Sequence, residues 1–288
     1  TKSNIFYPVM GAVFVGNLLI LINFFLPLNS KLILIFLFGA LLPNLFYIDF
    51  EINLNKKILL NNIFYYILIP TVLLVSASDI NFHYDAAYYH LNNQNWLRES
   101  NLVIGFVNIF WPFGMSSIYE YLSSILWIEG SLVYLHYLSL IFIHFFYSFI
   151  YFHLFTSKKT ALRNASLFLI LFSILDNFGL QGGRNGFLYI QEVGKQDIPV
   201  AILLSVTSLL IIYQFKKDSV QVLDFICITL LAMFIIQLKV SGVYILYLYI
   251  FLIYFIVRKN VFNIKNLLIY HLPVAIFTFI WIIKDKSG

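Results

Sequence analysis

The chain has 288 residues, of which 61% are apolar and 11% charged, and its formal net charge is +5. An ordinary soluble domain carries about 25% charged and about 45–50% apolar residues, so the composition excludes a soluble enzyme, a nucleic-acid-binding domain and a disordered protein. The positive charge is no nucleic-acid footprint, because the cations sit in short clusters between apolar runs.

A spanning helix needs about 20 apolar residues. In chain order, the apolar runs predict nine spans, at about 5–26, 32–48, 59–77, 131–155, 161–179, 198–215, 220–238, 241–257 and 267–283. The fifth is the weakest, with Asp176 and Asn177 near its end. A transmembrane β-barrel would show alternating segments of about ten residues instead of long unbroken runs. The predicted fold is an all-α polytopic transmembrane helix bundle with interfacial helices in a long first outer loop. Residues 1–58 would form an N-terminal transmembrane hairpin and residues 59–288 the core. The chain starts at Thr1 and ends at Gly288 just after an apolar run, so a piece of a longer protein is expected.

Short-loop Lys and Arg residues set membrane orientation. Lys2, Lys56-Lys57, Lys158-Lys159 with Arg163, Lys216-Lys217, and Arg258-Lys259 with Lys265 fall on one side and make eleven of the eighteen cations. That side is predicted to be cytoplasmic. Nine of the thirteen acidic residues fall on the other, outer side. Acids contribute little to topology, so this bias reflects either chemistry on the outer face or simply longer outer loops.

The first long outer loop runs from about Ser78 to Gly130. Loops of this length are usually functional or disordered, and its composition is not that of a disordered segment. Interfacial helices are expected at about 84–98 and 116–128. In the second, Ile118, Leu122 and Ile125 would line the apolar face, with Ser116, Glu120 and Ser123 turned away. Trp96, Trp111 and Trp127 suit a membrane-interface belt. The second long loop, about Gln181 to Asp197, contains Gly182-Gly183-Arg184-Asn185-Gly186. It lacks the Lys-Ser/Thr of a nucleotide-binding loop, so no nucleotide cofactor is expected.

On a helix, Asp85, Tyr89, Asn92 and Trp96 share one stripe. A carboxylate among rings and amides at a membrane surface suits sugar binding, and partial desolvation would raise its pKa toward that of a general base. The plainer alternative is that Asp85 caps or solvates the helix. His83 and His90 with Asp85 make only a weak metal pattern, without a tight i, i+4 pair, and a divalent metal stays open. His136, His144 and His153 are more consistent with aromatic packing than with a proton relay. Lys239 would either snorkel to lipid phosphates or hold an anionic substrate. Asp197, two residues before Pro199, fits a helix start. Apart from His144 the spans read as nearly free of ionisable groups. This favours an outer-face enzyme over a transporter, which needs such groups along a path through the bundle.

Asp85-Ala86-Ala87-Tyr88-Tyr89-His90-Leu91 followed by Trp96 resembles the first-loop signature of GT-C glycosyltransferases of the protein mannosyltransferase and aminoarabinose-transferase type. With Gly105-Phe106-Val107-Asn108, Phe113-Gly114-Met115-Ser116-Ser117, Gln196-Asp197-Ile198-Pro199 and Lys239-Val240-Ser241, it is similar to a set of bacterial multi-spanning GT-C-like proteins. The likeness spans roughly residues 79–288. It departs from the mannosyltransferase pattern in having Ala86, not a second acid, after Asp85.

The resemblance implies a bacterial inner-membrane enzyme working on the periplasmic or extracellular side. The donor would be a polyprenyl-phosphate sugar, and the acceptor a glycan, lipid or protein in cell-surface glycan assembly. Asp85 would be the general base and reaction would invert the anomeric carbon. Lys239, then Arg184, would hold the donor phosphate. Asp197 would orient sugar or acceptor, and Tyr89 and His90 would contact substrate. The alternative is a polysaccharide transporter or polymerase-type membrane protein without single-sugar transferase activity.

Overall fold

The computed structural model describes residues 4–29, 31, 33–35, 38–39, 60, 63–76, 82, 85–114, 117–128, 130–156, 160–177, 196–215 and 220–287. The chain is all-α. Its helices are α1 (Tyr7–Asn23), α2 (Ile69–Ser76), α3 (Leu91–Glu99), α4 (Ile118–Ser124), α5 (Tyr137–Tyr151), α6 (Thr160–Asn177), α7 (Asp197–Phe215), α8 (Val222–Leu238), α9 (Ile245–Arg258) and α10 (Ile264–Ser287). Wider turns lead into α2 (Phe64–Leu68) and α3 (Ala86–His90). A 3-10 turn, Val133–His136, leads into α5.

Among the described residues, four helical stretches are long and apolar enough to cross a membrane: Val133–Phe155, Asp197–Phe215, Val240–Arg258 and Ile264–Lys284. They correspond to the fourth, sixth, eighth and ninth expected spans. The expected nine are not shown. Tyr7–Asn23, Ala161–Phe172 and Val222–Leu238 are apolar but shorter. Only part of the third expected span and scattered positions of the second lie within the described residues. The outward faces support a membrane setting: Phe251, Leu268 and Phe279 are all more than 60% exposed. Apolar surface on this scale needs covering, and helices satisfy their own backbone polar groups in lipid.

Helix α5 lies near the centre of the packing. Its Phe142, Phe145, Phe146 and Phe149 are fully buried. Phe145 meets Phe6 edge to face at 5.2 Å, and Phe142 stacks near Phe234 of α8 at 6.3 Å. Helix α7 packs against α5, α8 and α9, while α8 packs against α10 and α1. Helix α1 also lies against α4, where the approach is close: a Cβ on Gly16 would stand 2.8 Å from Ile118.

Polar ties set the ends of these helices. Asn17 and Gln237 exchange amide hydrogen bonds of 2.9 and 3.3 Å between α1 and α8. The Asn23 amide donates to the carbonyls of Leu97 and Ser100, fastening the end of α1 to the end of α3. Such interhelical bonds matter because a lone polar group in a dry interior is costly.

The expected apolar face of the 116–128 helix is present, since Ile118, Leu122 and Ile125 are buried. Its expected polar face is not. Glu120 and Ser123 are buried too, and every residue of α4 is inside. The helix is a short buried plug rather than a float on the membrane. The reason is that α1, α3 and α8 all pack on it, so it has no side left for water. It ends at Ser124, and the chain then turns, with an isolated bridge between Ile128 and Ser131.

Candidate functional site

One end of the bundle collects the start of α7, the end of α8, helix α4 and the segment Ala86–Glu99. Three local features bring them together. Ser117, extended at the N-cap of α4, accepts the Tyr119 N–H at 3.1 Å and donates its hydroxyl to the Leu238 carbonyl at 2.6 Å. The first of these is ordinary capping; the second satisfies a carbonyl that the end of α8 would leave open. Just beyond, the chain turns tightly over Val240–Tyr244. Gly242 is required there, because an added Cβ would lie 2.6 Å from the Ile235 carbonyl oxygen. Finally, the Ala86–His90 turn is wound wider than an α-helix, with the Leu91 N–H bonded to the Ala86 carbonyl. Such turns are often found at functional sites.

At the centre of this end is Glu120, 1% exposed. Its carboxylate accepts hydrogen bonds from His90 Nδ1, from Gln94 Nε2 at 2.6 Å and from Gln196 Nε2 at 3.3 Å. Burial by itself would lower the His90 pKa, but the Glu120 charge and its hydrogen bond outweigh it and the net shift is upward. Asp85 adds to the rise, while Lys239 opposes it. Lys239 Nζ donates to Asp197 Oδ1 at 2.5 Å, a pair in which both side chains are well exposed. Lys284 of α10 is buried and lies over the rings of Trp281 and Tyr121, at 4.4 and 5.5 Å from their centroids.

Of the residues singled out from sequence, Asp85, His90, Asp197 and Lys239 come together here. Asp85 precedes the wide turn and makes no capping bond with its side chain. The Asp197 carboxylate pairs with Lys239, and that lysine turns to the acid. The Tyr89 ring lies 4.1 Å from the His90 ring, tilted by 42°. Arg184 and His83 lie outside the described residues.

The stripe Asp85–Tyr89–Asn92–Trp96 runs beside the buried face. Asn92 is exposed and bonds back to the Ala87 and Tyr88 carbonyls. The buried positions are Ala86, His90, Gln94 and Leu97, one residue round the helix.

Trp96 packs on Phe113 at 4.6 Å, and the Arg98 guanidinium lies over Trp127 at 4.9 Å. Trp111 is exposed. Among the described residues no three His, Cys, Asp or Glu side chains gather as metal ligands.

Sequence reasoning missed Glu120, Gln94 and Gln196. The one available signal was an acid beside Ile118 and Leu122 in a short apolar helix. It also missed His271, inside the last span. The His271 Nε2 and the Thr229 hydroxyl both contact the Tyr249 hydroxyl, at 2.6 and 2.8 Å. All three line an almost wholly apolar cavity of about 260 Å³ between α8, α9 and α10, which extends to Gln237 and Trp281. Gln237 is two residues before Lys239, about 3 Å along a helix axis. The cavity therefore reaches the level of the polar cluster.

A family model described as a domain of unknown function, DUF8201, matches residues 1–286. The chain belongs to this family. No curated protein and no solved structure matches it.

Proposed function

For this member of the DUF8201 family we propose a GT-C-like glycosyltransferase that moves a sugar from a polyprenyl-phosphate donor to an acceptor on the outer face of a bacterial inner membrane. The acceptor is a glycan, lipid or protein of the cell surface. The observation that carries the proposal is the meeting of acid and cation beside an apolar cavity. Asp85 and Lys239 both act on the same histidine, Lys239 pairs with Asp197, and the lining of the cavity begins two residues before Lys239. A lipid-linked sugar phosphate has the same three parts: an apolar chain, an anionic phosphate and a sugar.

In this scheme the acceptor hydroxyl gives its proton to the Asp85 carboxylate as its oxygen attacks the anomeric carbon. The bond from that carbon to the phosphate oxygen breaks with inversion, leaving a polyprenyl phosphate. Lys239 stabilises the charge building on the departing phosphate, commonly the largest catalytic contribution. Arg184 is a second candidate for that role. Asp197 holds Lys239 in place until the donor arrives and then orients sugar or acceptor, with Tyr89 and His90 at its side.

The test is Asp85→Asn at matched protein abundance, scored by surface-glycan composition. Loss of a sugar with the protein folded supports Asp85 as the base; an unchanged glycan removes it.

The Thr229–Tyr249–His271 chain favours a second reading, a polysaccharide transporter or polymerase. An ionisable group facing a cavity inside the spans is what a transport path needs. Under that reading His271→Phe abolishes glycan export while Asp85→Asn leaves it intact.

A further inference from the structure

The buried Glu120 is unaccounted for by the scheme above. Burying a lone carboxylate is costly, and one is tolerated when paired and hydrogen-bonded. Three donors from two separate parts of the chain converge on it: His90 and Gln94 from the Ala86–Glu99 segment, and Gln196 from just before α7. The two glutamine bonds are made by amide N–H groups, and with Nδ1 protonated His90 donates the third. A carboxylate on one imidazole nitrogen sets which proton the ring keeps and which way it faces. Glu120 holds Nδ1–H, so Nε2 is the nitrogen left to serve a ligand.

We infer that Glu120 is a positioning residue that orients His90 and holds it as an imidazolium, so that His90 and Lys239 form a two-cation seat for a lipid-borne phosphate. The inference rests on the proposed donor and deepens it by adding the second half of its phosphate site. His90 is surrounded by groups that bear on its charge. Asp85 comes from its own segment, Glu120 from α4 and Lys239 from the end of α8, with Asp197 at the start of α7 bound to that lysine. Buried His136 lies at the start of α5, and Lys284 of α10 lies over the Tyr121 ring next to Glu120. The net upward shift of His90 favours the charged form of the ring. Lys239 turned toward Asp197 leaves the seat with a removable counter-charge, which an arriving phosphate displaces.

The experiment uses the full chain in lipid nanodiscs, with farnesyl phosphate as the probe and farnesol as the control. Binding is measured from pH 5.5 to 9, and the histidine carbon resonances are titrated in parallel. Wild type should bind the phosphate, and binding should weaken as pH rises through the His90 transition. In Glu120→Gln that transition should move to lower pH by about one unit or more, with about tenfold weaker binding at neutral pH, one pKa unit being tenfold in protonation. Glu120→Asp should restore part of the shift. Lys239→Gln should weaken binding at every pH and move the transition only upward, since the Lys239 charge opposes that of His90. If Glu120→Gln does not fold, His90→Gln serves instead. It keeps an amide donor for Glu120, and in it the pH transition of binding should vanish.

An unmoved transition in folded Glu120→Gln, or a transition persisting in His90→Gln, overturns the inference. If Asp85→Asn also loses glycan transfer, the proposed function survives that result. Wild type that binds farnesyl phosphate no better than farnesol overturns both.

Discussion

The Ser117 hydroxyl donates to the Leu238 carbonyl across 121 residues of chain, at 2.6 Å. One side chain thereby caps the start of α4 and closes the end of α8. The residue three past Ser117 is Glu120, and the residue after Leu238 is Lys239, so the bond sets the spacing between the buried acid and the exposed cation. Ser117→Ala removes both interactions. The expected loss is about 1–2 kcal/mol, the range of a lost cap, read as a lower unfolding midpoint in detergent. Ser117→Thr, which keeps the hydroxyl, should lose less.

Gly242 should tolerate no side chain. A Cβ there meets Ile235 side chain and backbone at 2.5–2.9 Å, and backbone cannot give way as a side-chain tip can. Gly242→Ala should cost about 1–3 kcal/mol, as overpacking does, and should displace Lys239. Ser241→Ala, at an exposed neighbour, is the control and should be near neutral in the same thermal assay.

The Asn17–Gln237 pair allows a clean cycle. Asn17→Leu or Gln237→Leu alone strands a buried amide and should destabilise by about 0.6 kcal/mol, the average for hydrogen bonds between membrane helices, and by no more than about 1.7 kcal/mol, their maximum. The double variant should be less destabilised than the sum of the two singles, because no polar partner is then left unpaired. Strict additivity in chemical unfolding would show that the two amides do not act on each other.

Asp197→Asn separates function from stability. An exposed ion pair contributes about 0–1 kcal/mol, so the unfolding midpoint should hardly move. The donor KM should change, since Lys239 loses the acid that holds it. A large drop in stability with an unchanged KM would mark the pair as a structural strut.

The His90–Glu120 contact carries a pH signature. Because the folded His90 pKa is raised above its ordinary 6.5, its stabilisation is fully present below that value and is lost as pH rises through the raised one. Stability should therefore fall with rising pH just above 6.5, and the fall should be absent in His90→Gln. The same slope in both proteins would assign it to another group.

The local part of this architecture was open to sequence reasoning. Long apolar runs marked the spans at Asp197–Phe215 and Ile264–Lys284, because hydropathy is a sum over neighbouring residues. The run at 161–179 yields a helix whose apolar part is Ala161–Phe172, shorter than a span needs. Asp85, Asp197 and Lys239 stood out because charge is scarce. The wide turn at Ala86–His90 leaves no mark in the residue pattern.

By itself the sequence determined the class, an apolar helical chain with its rare charges near the ends of its helices. Only the tertiary structure decided which polar residues turn inward. Glu120 looked like the solvated face of an amphipathic helix. Its partners stand 30, 26 and 76 residues away, and no window along the chain contains them all. A carboxylate is placed by the donors that meet it in space, and those are set by how α3, α4, α7 and α8 pack. The same four residues, left unpacked, would simply face water.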